Sequence, residues 1–435
     1  METQNNVAFA MMLDYSGSMS RVMPLVIIDA KAFVRYSLAG DQFAINKFSD
    51  NAQWLYPTDG SITTVADERT QISEACTAID TLKSYNCTNI AEAITLAQQV
   101  IVKSTLERKA LVLLSDGYSN VGASPDSVYT GATPLYIASL GSSVWTSMFE
   151  KLKGKNPQNE IYWQPTAVEM MQMFNTIRRD ITQSTLLTNS VQPYTGSDYQ
   201  LEEVVVSRDE EFAQFSVVWD NSQCRYTTGI PHGYELNVYL IGPDGKRLPD
   251  VPDVISEGCC IFNKYNVKAG TWRILVQYSI EAQLNIHGTI GGFLFMPQLK
   301  LHIDLPDTPR KGQPLTPVLT VWDGNKKVED ISAKIRVVSP TEASKALFDR
   351  YRQDEADGNT LQINSQQDIQ TMNKQVNETL RNEVHFANGR GGDLNFHIPN
   401  VTSSGVCNLE CEVTGIDPQT EKEFRIVQCK TIVMR

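Results

Sequence analysis

Val7-Ala8-Phe9-Ala10-Met11-Met12-Leu13-Asp14-Tyr15-Ser16-Gly17-Ser18-Met19 is the stretch from which the chain is best read. Seven apolar residues in a row, without polar alternation, suit a strand covered on both faces. The run stops at a carboxylate, followed by two hydroxyls at alternate positions. Val22 to Leu38 then carries apolar residues at Val22, Leu25, Val26, Phe33 and Val34, a helical spacing in which Pro24 is tolerated in the first turn. Asp14, Ser16 and Ser18 therefore fall at the carboxyl end of a strand, the edge at which open α/β sheets bind ligands. All three are hard oxygen donors, suited to Mg²⁺ or Mn²⁺ rather than to zinc or copper.

Strand and helix signals keep alternating outward from this stretch. Gln42–Phe48 and Trp54–Tyr56 read as a hairpin at a sheet edge, and Glu68–Leu82 and Asn89–Val102 read as helices. Ala110–Leu114 is a second unbroken apolar run, ending in Ser115-Asp116-Gly117. Leu135–Leu140 and Glu160–Trp163 read as strands, Val144–Leu152 and Ala167–Thr182 as helices. The alternation predicts an α/β, doubly wound, mostly parallel sheet over residues 1–185. Thr88 precedes one predicted helix and Asp116 follows a predicted strand. If the strands are parallel, both fall on the same edge as Asp14, Ser16 and Ser18, and the five can converge. Taken singly, Ser18 or Thr88 reads better as a helix cap; the five together read as a metal site.

The pattern changes after about residue 183. Short strand candidates separated by turn signals, with no intervening helix, predict a β-sandwich over 186–297. A second β-sandwich is expected over 298–435, interrupted by a polar helical insertion at about 341–382. Asn388-Gly389-Arg390-Gly391-Gly392 reads as a turn.

Composition narrows the function classes. The chain has 435 residues, a net charge of −12 and a sequence pI near 5.0. Such a charge makes nucleic acid and anionic membrane surfaces poor partners. No apolar run is long enough for a transmembrane helix. If Met1 is the true start, a cytoplasmic protein is expected; if the chain has been trimmed, an extracellular or surface one. The eight cysteines do not demand disulfides in a chain of this size. Cys76 and Cys87 could tie a helix to the Thr88 loop. The neighbours Cys259 and Cys260 are expected to face opposite sides of a strand, and Cys407 and Cys411 are a weak zinc signal. Sequons at Asn86, Asn377 and Asn400 read as chance occurrences. There is no G-x-x-x-x-G-K-[ST] phosphate loop and no H-E-x-x-H, and all five histidines lie in the β regions.

Asp14-Tyr15-Ser16-Gly17-Ser18, the later Thr88 and Ser115-Asp116-Gly117 together resemble the metal-ion-dependent adhesion site of von Willebrand factor A domains. Leu135 to Ser142 is similar to the fifth strand and turn of that family. The resemblance covers roughly residues 5–185. It departs at Cys87, where the family usually carries glycine. It implies that Ser16, Ser18 and Thr88 hold Mg²⁺ (or Mn²⁺ or Ca²⁺) through their hydroxyls, with Asp14 and Asp116 acting directly or through water. It also implies a non-enzymatic module in which an Asp or Glu carboxylate of a protein partner completes the metal shell. The alternative is an intracellular subunit or adaptor of an AAA+ ATPase machine using the same domain. A metal-dependent hydrolase fits less well, because no general base is placed near the loops.

Overall fold

The computed structural model describes residues 6–434 apart from 21, 67–68, 86, 116–118, 120, 141–145, 165–169, 194–198, 220, 222, 280–286, 296–297, 306–308, 341–381, 400 and 402–404. The first part of the chain runs β1 (Val7–Asp14), α1 (Met23–Arg35), β2 (Gln42–Phe48), β3 (Ala52–Tyr56), β4 (Thr63–Thr64), α2 (Thr70–Ile79), α3 (Ile90–Ile101) and β5 (Arg108–Ser115). It continues with α4 (Pro125–Val128), β6 (Leu135–Leu140), α5 (Thr146–Lys153), β7 (Glu160–Gln164) and α6 (Met170–Thr182). The strands form one sheet in the order β3-β2-β1-β5-β6-β7, with β4 also pairing with β2. The pairs β2–β1, β1–β5, β5–β6 and β6–β7 are parallel, and β3 closes the edge as an antiparallel hairpin with β2.

This sheet separates two apolar cores. Phe9, Met11 and Leu13 of β1 and Val112 and Leu114 of β5 face α1, α2 and α6, whereas Ala8, Ala10, Met12, Leu111 and Leu113 face α3 and α5. Period-two alternation between two apolar layers is why these strands lack polar positions. The doubly wound α/β expectation holds. From β1 the chain goes to β2 on one side and later to β5 on the other. The carboxyl ends of β1 and β5 therefore flank the topological switch point, where such sheets form a ligand crevice.

The next strands are β8 (Thr185–Pro193), β9 (Tyr199–Val206), β10 (Glu210–Trp219), β11 (Arg225–Tyr226), β12 (Glu235–Ile241), β13 (Val254–Ser256), β14 (Cys259–Val267), β15 (Gly270–Tyr278) and β16 (His287–Leu294). They form two sheets, β13-β14-β10-β16-β8 and β11-β12-β15-β9, around a core that includes Phe215, Val217, Trp219, Val238, Leu240 and Ile274. The last strands are β17 (Leu299–Asp304), β18 (Val318–Asp323), β19 (Lys326–Lys327), β20 (Ile331–Pro340), β21 (Asn382–Gly391), β22 (Leu394–Asn395), β23 (Gly405–Ile416) and β24 (Glu423–Met434). They too form two sheets, β17-β18-β19 with β22, and β21-β20-β23-β24, around Leu319, Val321, Ile335, Val337, Leu409 and Val413. Two sheets face to face over one apolar core is sandwich layering.

Several local expectations need correction. Asn388–Gly391 lies within β21 rather than in a turn: Arg390 pairs with Ser332 of β20 in register, and its guanidinium forms a two-pronged ion pair with Asp330. β8 was not anticipated, because Thr188, Asn189 and Ser190 weaken its apolar signal. Its Leu186 and Leu187 nonetheless serve two different cores. The helical insertion expected at about 341–382 falls almost wholly outside the described residues, as do the asparagines of all three sequons. All eight cysteines are free thiols. Cys76 is buried and Cys87 exposed, and both are free thiols, so the possible tie between them is not made. Cys259 and Cys260 do face opposite cores. Cys407 and Cys411 both point into the apolar core of the last unit, where burial pushes each thiol up, Cys407 to about 12, and among the described residues no zinc ligand set surrounds them.

The first β unit is not a separate bead. On β10, Phe215, Val217 and Trp219 face their own sandwich, while Phe212 and Val218 join the core built on α1 and α6. Gln214 and Ser216 lie fully buried among them. The Tyr36 hydroxyl donates to Asn175 Oδ1 at 2.9 Å and lies 2.7 Å from Ser216 Oγ. Burial holds that phenol well above its usual range, so it stays protonated. Gly291 permits this approach, since a Cβ there would sit 2.9 Å from Ser216 Oγ and 3.0 Å from Asn175 Nδ2. Arg178 of α6 donates to Tyr36 O at 3.0 Å, and Arg69 donates to Ser37 O at 2.9 Å. Two arginines from distant elements thus satisfy carbonyls left open where α1 ends. The last unit is joined to the first β unit by Arg208, which pairs with Asp417 at 2.5 Å and Asp323 at 3.0 Å. No helix among the described residues is long and apolar enough to cross a membrane.

Candidate metal centre

β1 delivers Asp14 to the sheet edge with its side chain fully buried. Asp14 Oδ1 accepts from the Ser16 backbone N–H at 2.9 Å, a two-residue turn that folds the following loop back over the strand end. Asp14 Oδ2 accepts from Ser115 Oγ at 2.6 Å. Both carboxylate oxygens are thereby fixed from opposite sides. Gly17–Met19 forms a single 3-10 turn, for which Ser16 is the N-cap residue without any side-chain capping bond. The Ser16 and Ser18 hydroxyl oxygens lie 3.2 Å apart.

Thr88 reaches the same edge through its neighbours. The Asn89 N–H donates to Ser49 O at 2.7 Å, just past the end of β2, and the Cys87 N–H donates to Asp50 Oδ1 at 2.8 Å. Tyr85 N–H donates to Tyr15 O at 2.7 Å, stitching this loop to the one after β1. Thr88 itself is 4% exposed. The residue that caps α3 is Asn89, whose Oδ1 accepts from Glu92 N at 3.3 Å. Helix capping therefore explains neither Thr88 nor Ser16. A third loop closes over the second: Ser119 Oγ donates to Thr88 O at 3.2 Å, and Val121 N–H donates to the same carbonyl at 3.3 Å. Gly122 adopts φ +82°, and a Cβ there would lie 2.5 Å from Asn89 Oδ1. That loop geometry requires glycine.

The structure thus brings Asp14, Ser16, Ser18 and the Thr88 loop to one edge. Asp116 lies outside the described residues; Ser115, directly before it, is bonded to Asp14. Sequence reasoning overlooked Ser115 as a positioning group. The available signal was its place at the end of β5, one residue past the Leu13–Leu114 pair of adjacent parallel strands. The fit to a small hard cation can be judged from the oxygens present. The two hydroxyls are hydrogen-bonded to each other at 3.2 Å, a spacing that also suits adjacent oxygens of an octahedron with bonds of about 2.0–2.1 Å, which are roughly 3 Å apart. The candidate groups offer carboxylate and hydroxyl oxygens, with no thiol or imidazole among them. They fit Mg²⁺ or Mn²⁺ better than a softer ion.

Residues 9–119 match the von Willebrand factor type A domain family. That segment contains all five residues of the expected ligand set. No curated protein matches the chain. Among solved structures, the chain is similar to a von Willebrand factor type A protein from Catenulispora acidiphila (13% identity, TM-score 0.37, covering 74% of this chain and 64% of that one). It is also similar to the ArnB paralog VWA2 from Sulfolobus acidocaldarius (14% identity, TM-score 0.31, 74% of this chain and 64% of that one). A third is proximal thread matrix protein 1 from the mussel byssus, solved with a zinc-occupied MIDAS motif (13% identity, TM-score 0.34, 44% of this chain and 50% of that one). The chain spans less than two thirds of the length of each.

Proposed function

We propose that this protein is a divalent-metal-dependent protein-binding module of adhesion or complex assembly, and that it binds rather than catalyses. Asp14, Ser16, Ser18, Thr88 and Asp116 would hold the ion, with Mg²⁺ or Mn²⁺ preferred on donor chemistry. A bound ion of this kind supplies an electrophilic position that a partner's Asp or Glu carboxylate can fill. The chain's own residues do the rest. Ser115 and the Ser16 N–H orient the Asp14 carboxylate. The neutral hydroxyls of Ser16, Ser18 and Thr88 donate oxygen without adding negative charge, which leaves charge on the ion for the partner to neutralise. In this reading residues 1–185 form the binding domain, and 186–297 and 298–435 are sandwich domains that support it.

The observation that carries the reading is the convergence of two mutually hydrogen-bonded hydroxyls with a carboxylate anchored on both oxygens, at the switch point of the sheet. Calorimetric titration of the full chain with Mn²⁺ and Mg²⁺ tests it. The expected result is one site in the wild type and none in Asp14→Ala, with unchanged circular dichroism. Equal metal binding by the two proteins would refute the assignment.

A further inference from the structure

We infer that the cleft where α6, β8, β17 and β24 meet binds a small, doubly charged oxyanion of the phosphate class, free or as a monoester. The cleft encloses about 200 Å³, and Arg179, Asp180, Lys300, His302 and Gln428 are among the residues that line it. That is the volume of roughly six or seven waters and lies below the range of about 300–1,000 Å³ usual for larger organic ligands. Its occupant is therefore small. The cleft is remote from the candidate metal centre. Thr182 O, at the close of α6, accepts from Arg108 Nη1 at 2.9 Å, at the amino end of β5, whereas Asp14 is bonded to Ser115 at the other end of that strand.

Charge decides the class of ligand. The acid in the cleft is already neutralised: Asp180 Oδ1 accepts from Arg179 Nε at 2.7 Å and from Nη2, and Oδ2 accepts from the Tyr162 hydroxyl. Arg179 is 8% exposed, and its Nη1 is buried with no partner among the described residues. Beside the cleft, therefore, is a guanidinium with an unused donor, the group best suited to a planar or tetrahedral oxyanion. Lys300 and His302 stand on the exposed face of β17, whose residues alternate buried and exposed. Among the described residues neither has an ion-pair partner. Asp304 follows on the same face but does not line the cleft. In a chain of net charge −12, the charges left unpaired around this cleft are cationic. They come from different units, Arg179 from the α/β part and Lys300 and His302 from the last sandwich, so an anion between them would tie the two together.

The test is calorimetric titration of the full chain at pH 7 and constant ionic strength, in EDTA so that the metal centre plays no part. The probes are inorganic phosphate and glycerol 1-phosphate, with acetate as the singly charged control. The expected result is one site for phosphate or its ester and none for acetate; the tighter of the two probes tells a free anion from an esterified one. Affinity should fall about tenfold or more in Lys300→Ala/His302→Ala, with unchanged circular dichroism, and should be largely kept in Lys300→Arg. Asp14→Ala should bind phosphate as the wild type does. Phosphate stabilises folded proteins generally, so the thermal midpoint is read as a difference: phosphate should raise that of the wild type more than that of the double variant. No binding by the wild type, equal binding by the double variant, or acetate bound as well as phosphate would overturn the inference.

Discussion

Ser115 Oγ donates to Asp14 Oδ2 at 2.6 Å, joining the ends of two adjacent parallel strands that are 101 residues apart in sequence. The bond sets the direction of the carboxylate on which the proposed centre depends. Ser115→Ala removes a positioning donor and no proposed ligand. Loss of such an outer partner lowers metal affinity by about 10–100-fold. Mn²⁺ titration should show that drop for Ser115→Ala with the thermal midpoint little changed, whereas Ser115→Thr, which keeps the hydroxyl, should retain most of the affinity.

Gly122→Ala should act on the same centre from the other side. At φ +82° an alanine is strained, and its Cβ would strike the Asn89 side chain that caps α3. The expected cost is more than about 1 kcal/mol in urea unfolding, together with weaker Mn²⁺ binding, because Val121 and Thr88 share a backbone bond. Asn89→Ala, which removes the cap and the collision together, should cost about 1 kcal/mol, and adding Gly122→Ala to it should then cost less than Gly122→Ala alone, the remainder being the backbone strain.

Arg178 and Asp41 form an ion pair of 3.3 Å with side chains 1% and 2% exposed. Asp41 also accepts from Val7 N–H and Leu38 N–H, so it binds the start of β1, the end of α1 and α6 together. Asp41→Ala leaves a buried guanidinium without its counter-charge, and about 3–5 kcal/mol of stability should be lost. Chemical denaturation at pH 7 measures it.

Glu210 gives a pH-dependent prediction at the junction with the last unit. Burial pushes its carboxyl up to about 7; Arg208 opposes the shift, and Asp417 and Glu211 add to it. The folded protein therefore holds this proton more tightly than the unfolded chain. The group's contribution is fully present below its ordinary value of 4.5 and is lost as pH rises through about 7. The urea midpoint of the wild type should fall between pH 5 and pH 8 relative to Glu210→Gln, and the two curves should converge at the acid end.

Much of the α/β part was legible from residues because its strands are buried on both faces, and unbroken runs such as Val7–Leu13 and Ala110–Leu114 have few other readings. The candidate metal-site residues were legible for a different reason: Asp14, Ser16 and Ser18 stand at alternate positions immediately after such a run. Ser115 was hidden because its role depends on strand adjacency, which no local pattern encodes. β8 was hidden because its polar residues are satisfied at long range, with Asn189 bonded to Gln172 and Asn175 of α6. The Asn388–Gly392 stretch misled because glycine and asparagine signal turns locally, while pairing to β20 overrides that preference.

The sheet containing β10 has no solvent-facing side where it meets α1 and α6. Its Phe212 and Val218 complete one core, and Phe215 and Val217 complete another. Neither neighbour can therefore be melted, cut away or exchanged without exposing an apolar wall on the other. The chain should unfold through this region in one calorimetric transition rather than two. A fragment ending at residue 185 should aggregate, because the surface that β10 keeps dry would then be open to water. In mechanical terms, a load applied to the sandwiches would pass into the α/β sheet through a packed wall rather than through a linker.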